Sequence, residues 1–103
     1  MPALNYNHLR YFWAVAHDGN LTRTAARLNL TQSALSVQIR KLEANLGYAL
    51  FQRSGRQLHL TEAGRIALDH ADAIFSTGEE LVETLRNVSV AHTTLRLGAL
   101  ATL

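Results

Sequence analysis

LTRTAARLNLTQSALSVQIRKLEANL, residues 21–46, holds two apolar periods separated by a short break. Leu35, Ile39, Leu42 and Leu46 step by four, three and four, which lines one face of a helix that starts at Gln32 and stops before Gly47. Upstream, Leu21 to Leu28 predicts a short helix whose inner face carries Ala25 and Ala26, small residues that permit close helix contact. Asn29-Leu30-Thr31 breaks the pattern, because Asn tolerates turn geometry and the Thr31 side chain can accept from an early amide of the next helix. The outer face of the longer helix carries Gln32, Ser33, Ser36, Gln38, Arg40 and Lys41, interrupted by Val37. A short helix, a tight turn and a longer helix with a polar outer face predict a helix-turn-helix. Its second helix suits the major groove of duplex DNA, which is about 12 Å wide and admits one helix.

Working outward, Leu9, Phe12, Trp13 and Ala16 fall on one face of a first helix from Asn7 to about His17, ended by Asp18-Gly19-Asn20. Beyond Gly47, Ala49 to Gln52 and Gln57 to Leu60 mostly alternate apolar with polar around Arg53-Ser54-Gly55-Arg56, which predicts a small hairpin with a basic tip. Thr61 caps a further helix, with Glu62 in its first turn. Along that helix Ala67, Ala71, Ile74, Gly78, Leu81, Leu85 and Val88 repeat alternately by four and three, the seam of a coiled coil with a second copy. Thr94 to Leu100 alternates again and is expected to begin a strand of a domain that the chain does not complete.

The 103 residues suffice for one small domain with an extension. There is no Cys, hence no disulfide framework or thiolate site, which fits a reducing cytoplasm; Met1 to Arg10 lacks a basic start followed by an apolar run, and no apolar stretch approaches bilayer-spanning length, so an unexported protein is expected. Charge is unevenly divided. Residues 1–60 carry seven Arg or Lys against two Asp or Glu, and residues 61–103 carry three against six. That division suits a basic half that meets a polyanion, or one that is merely a solvated basic face.

Within this frame Gln32, Ser33 and Ser36 lie on the first turn and a half of the groove helix, away from its apolar stripe. Gln can bond bidentately to adenine and Ser to several base edges; the alternative is a solvated first turn. Thr22, Arg23, Arg27, Thr31 and Arg40 suit phosphate contacts. At the hairpin tip Arg56, then Arg53, could enter the minor groove, Arg53 alternatively forming a structural ion pair. Trp13 and Tyr11 suit packing better than base stacking. The histidines at 8, 17, 59, 70 and 92 never pair at metal-ligand spacing. No catalytic constellation, phosphate loop or cofactor motif occurs, so an enzyme has no support in the residues.

The runs Leu9 to Phe12, Gly19 to Ala26, Leu30 to Ser36, Ile39 to Glu43, Leu46-Gly47, Leu50 to Arg53 and Leu60 to Gly64, in this order and spacing, closely resemble the N-terminal domain of LysR-type bacterial transcriptional regulators. The resemblance covers about residues 4 to 90, and Asn5 to Leu9 with Phe12-Trp13 looks most like the subgroup that regulates a sodium/proton antiporter. It implies a winged helix-turn-helix and a linker helix paired with that of a second subunit. It also implies a tetramer in the full-length protein and a larger C-terminal effector-binding domain. By motif position, base contacts fall to Gln32, Ser33 and Ser36 and the wing contact to Arg56. Ser33 stands where the family often has Pro, and Val37 where it often has Arg or another long polar residue; Val37 then offers methyl contact with thymine, or leaves more of the readout to Gln32 and Ser36.

The expected fold is mainly α: a winged helix-turn-helix over 1–60, a long linker helix over 61–89 and the start of an effector domain over 90–103. The expected function is a cytoplasmic, sequence-specific DNA-binding module that binds an interrupted palindrome as a homodimer, with double-stranded DNA as partner and no membrane, metal or cofactor. The alternative is a dimeric protein-interaction module.

Overall fold

The structure is a computed structural model that describes residues 3–54 and 57–96, with side chains through Ser89. The elements run α1 (Tyr6–Asp18), α2 (Leu21–Arg27), α3 (Gln32–Leu46), β1 (Phe51–Ser54), β2 (Gln57–Leu60) and α4 (Glu62–Arg96). Two compact units result, one through Asp72 and one from Ala73.

Each early helix starts on a side-chain cap that satisfies an otherwise orphaned amide. Asn5 accepts from His8, Asn20 from Arg23 and Thr31 from Ala34, at 2.8–3.0 Å. The break between α2 and α3 uses Asn29 at φ 59°, a left-handed conformation that Asn tolerates better than most side chains. Leu30 then donates its amide to Ala25 at 2.8 Å and the chain turns into Thr31.

Val15 of α1, Leu21 and Ala25 of α2, and Leu35 and Ile39 of α3 form one cluster of the core, with Tyr11, Leu28, Leu30, Phe51 and Leu58 packed against it. The expected α3 stripe is buried at Leu35, Ile39 and Leu42, while Leu46, its last residue, is 38% exposed. On α1 the buried set is Leu9, Phe12, Ala14 and Val15, rather than one that includes Trp13 and Ala16. The reason is that α1 packs against both α2 and α3, which widens and rotates its buried face. On α2 the inner face is Leu21, Thr24 and Ala25, with Ala26 exposed. Thr24 is tolerated there because its hydroxyl lies 2.7 Å from Asp18 Oδ2 and 2.9 Å from the Asn20 carbonyl, which share its one proton.

β1 and β2 pair antiparallel, Phe51 opposite Leu60 and Ser54 opposite Gln57. The hairpin is fastened to the helices at its base. Phe12 and Phe51 rings sit 5.3 Å apart, and Glu43 of α3 accepts from the amides of Leu50 and Phe51. Thr61 joins the hairpin to α4: its hydroxyl donates to the Ala49 carbonyl at 2.6 Å and accepts from the Gly64 amide at 2.9 Å. Gly64 is required by close approach, since a Cβ there would collide with the Leu50 carbonyl oxygen. Asp72, eleven positions past Thr61, receives the Trp13 indole N–H at 2.7 Å and lies 2.8 Å from His17 Nε2, which ties the start of α4 to α1.

Two features of α4 differ from expectation. The helix continues to Arg96, past the expected end at 89 and through Thr94-Leu95-Arg96, where alternation suggested a strand; Leu97 to Leu100 lie outside the described residues. Ala71, expected on a seam with a second copy, has no exposed surface and packs within its own chain.

Candidate nucleic-acid interface

The caps described above set where the polar side chains stand. Thr31 fixes the start of α3, and Gln32 and Ser33 follow it on exposed positions, with Ser36 half-buried one turn on and Val37 39% exposed. Thr31 uses a lone pair for Ala34, which leaves its own proton free to donate outward. Thr22, at the start of α2, donates to Gln32 Oε1 at 3.3 Å. Beside them the hairpin closes a cleft of about 370 Å³ whose lining includes Asn20, Thr22, Gln32, Arg53 and Gln57. A smaller hollow of about 180 Å³ joins Ser36 and Arg40 of α3 to Arg53. The structure thus brings Thr22, Gln32, Ser36, Arg40 and Arg53 onto adjoining concave surfaces of one unit.

The cations fall into two kinds. Arg27 is engaged: its Nη2 and Nε lie 2.8 and 3.2 Å from Asp18 Oδ2, and this bond, with that from Thr24, holds the Asp18 carboxyl below the usual carboxylate range. Arg23, Arg40 and Arg53 form no ion pair among the described residues, and all three are exposed. The structural ion pair weighed for Arg53 is therefore absent among them. Arg56 lies outside the described residues.

Three contributors escaped sequence reasoning. Gln57 lines the cleft from an exposed position of β2, signalled only by its place in an alternating strand. Glu43 is a hairpin anchor, and Asp18 a clamp on α2; both look in sequence like ordinary surface carboxylates. Among the described residues no group of His, Asp or Glu could hold a metal ion, and no helix is long and apolar enough to cross a membrane.

On the second unit, taken by itself, Leu81, Val82, Leu85 and Val88 are 44–58% exposed, and nothing lies within 4 Å of where a Cβ on Gly78 would stand. Ile74 is half-buried, as is Ala67 in the first unit.

Three helices followed by a two-stranded hairpin, with a capped third helix exposing a polar N-terminal turn, define a winged helix-turn-helix. The chain belongs to the lysR family of bacterial regulatory helix-turn-helix proteins, whose model matches residues 6–65. It is 39% identical over 100 residues to the RuBisCO operon transcriptional regulator of Allochromatium vinosum, covering 96% of this chain and 33% of that protein. It is 40% identical over 83 residues to the transcriptional activator protein NhaR of Escherichia coli, covering 81% of this chain and 28% of that protein. The chain thus spans about a third of the length of these relatives. Among solved structures it resembles the DNA-binding domain of BenM bound to catB site 1 DNA, with a TM-score of 0.79 at 32% identity, covering 85% of this chain and 95% of that one. The DNA complex of the CbnR DNA-binding domain gives 0.74 at 35% identity, covering 82% and 98%.

Proposed function

We propose that the chain is the sequence-specific DNA-binding module of a LysR-type transcriptional regulator, binding an interrupted palindrome as a dimer. The observation that carries this reading is the exposed start of α3 at Gln32 and Ser33, with Arg53 lining the same cleft as Gln32, Arg40 lining the adjoining hollow, and neither cation in an ion pair among the described residues. The DNA complexes of BenM and CbnR domains support it from the side of similarity. In this reading Gln32, Ser33, Ser36 and Val37 face base edges in the major groove. Thr31, Arg23 and Arg40 contact phosphates, and Arg53 with Arg56 serves the wing in or beside the minor groove. Arg27 acts through Asp18 as a brace for α2.

Dimer formation is assigned to the exposed apolar row Leu81, Leu85 and Val88 with Ile74, Gly78 and Ala67 along it, but without Ala71. A two-fold axis in the protein is mirrored in the operator, so each subunit takes one half-site. Residues 1–60 then form the reading domain and α4 the linker. Tetramer assembly and effector recognition belong to a domain that follows α4 in the full-length protein, which works in the bacterial cytoplasm on the nucleoid.

The deciding experiment is a salt-dependent titration with a duplex selected from a random pool. Affinity falls as salt rises, because phosphate contacts release counterions. Gln32→Ala costs about 1–3 kcal/mol on the selected duplex and little on scrambled DNA. Salt-independent binding defeats the proposal.

A further inference from the structure

Thr22 and Gln32 stand ten residues apart and meet across the turn, the Thr22 hydroxyl donating to Gln32 Oε1 at 3.3 Å. A threonine hydroxyl has one proton to give. Given to Gln32, it is not available to a phosphate, which accepts only; Thr31, whose cap uses a lone pair, keeps its proton for that purpose.

The bond has a positional consequence. A primary amide keeps nearly the same shape when its oxygen and nitrogen exchange places, but its donor and acceptor are reversed. With Oε1 held toward α2, one oxygen lone pair is occupied, one remains, and the two N–H bonds of Nε2 are turned away from α2. Turned over, the amide would donate from Nε2 to the same Thr22 oxygen, so in either sense the hydroxyl holds the amide group where it stands. Released from Thr22, the Gln32 side chain is free to leave that place and meets its base edge less often. The backbone at both ends is already set, Thr22 by the Asn20 cap and Gln32 by the Thr31 cap, so the side-chain torsions of Gln32 are the freedom that the bond restricts.

We propose that Thr22 is a positioning residue for base recognition: its hydroxyl holds the Gln32 amide in place beside the cleft and so sets the base selectivity at one base pair of each half-site. This inference rests on the DNA-binding reading above. Thr22 thereby acts through Gln32, in place of the phosphate contact that its residue type suggests.

The test is selection of duplexes from a random pool by the chain and by its Thr22→Val, Thr22→Ser and Gln32→Ala variants. Base preference is read at every position, affinity for a scrambled duplex is measured alongside, and circular dichroism checks folding. Gln32→Ala flattens the preference at one base pair per half-site. Thr22→Val weakens preference at that same pair by about fivefold or more, within the range of one lost base contact, while scrambled-duplex affinity changes by less than about twofold. Thr22→Ser, which restores the hydroxyl, retains the wild-type preference. An equal loss by Thr22→Val on selected and scrambled DNA makes Thr22 a phosphate donor and overturns the proposal, as does an unchanged preference. If Thr22→Val does not fold, Thr22→Ala carries the same prediction. Absence of any base preference in the wild-type chain defeats the DNA-reading assignment itself, a result distinct from failure of the Thr22 variants alone.

Discussion

Glu43 Oε2 accepts the amide of Leu50 at 2.8 Å, and the amide of Phe51 reaches the same oxygen at 3.3 Å. Leu50 is 1% exposed, so its amide has little access to water. One carboxylate on α3 therefore fixes where the hairpin leaves the domain. Glu43→Ala is expected to lower stability by about 1–3 kcal/mol, the cost of leaving buried donors unpaired. Glu43→Gln, which keeps a carbonyl oxygen in reach, is expected to cost less. Thermal melts of the two variants decide, and equal melting points would remove the hydrogen bonds as the cause.

Asp18 and Asp72 make folding sensitive to acid. The Asp18 carboxyl is held below its ordinary range chiefly by the Arg27 hydrogen bond and then by Thr24; that of Asp72 is held down by His17 and then by the Trp13 indole. A folded value below the unfolded one means that each contributes stability above about pH 4, the ordinary aspartate range, and that the contribution is lost as pH falls through the folded value. The melting-temperature gap between wild type and Asp18→Asn is therefore widest above pH 4 and narrows in more acidic buffer. A gap that stays constant from pH 7 to pH 3 would show that Asp18 acts by shape alone.

Arg53 and Arg27 should separate cleanly in a salt titration. Arg53→Ala, which removes a wing cation from the field of the duplex, is expected to weaken DNA binding on all sequences and to reduce the slope of log affinity against log salt by about 1, the signature of one lost cation at the polyanion. Arg27→Ala is expected to leave the slope unchanged and to lower the melting temperature, since its guanidinium braces Asp18. Identical slopes for wild type and Arg53→Ala would take Arg53 out of the DNA interface.

Leu81→Asp combined with Leu85→Asp places two charges on the exposed apolar row of the second unit. Sedimentation is expected to give monomers, with much weaker binding to a palindromic duplex and unchanged helix content. Monomers that bind as tightly as the wild type would remove the dimer from the mechanism.

The helix-turn-helix was legible because its signals are local: Asn20 and Thr31 are caps, Asn29 is a turn residue, and Leu35, Ile39 and Leu42 share a face. The hairpin was legible for the same reason, from alternation on both sides of Arg53 to Arg56. What stayed hidden depends on partners far along the chain or in another helix. Arg27 looked like a free cation because nothing in a periodic pattern says that Asp18, nine residues earlier, reaches it. Ala71 looked like a seam residue because a contact within the chain and one with a second copy demand the same spacing of apolar positions. Thr94 to Arg96 looked extended because they open the alternation that runs to Leu100, yet a helix already in progress carries through them.

The convergence of Trp13 and His17 on Asp72 has an optical consequence. Trp13 is the only tryptophan of the chain, and its ring meets the His17 ring edge-on at 5.1 Å and 72° while its N–H is bonded to the carboxylate. Emission from this one indole thus reports on a single junction, that between α1 and the first turns of α4. Any event that loosens it, whether titration, ligand or load transmitted along α4, becomes visible as a change in fluorescence without a label.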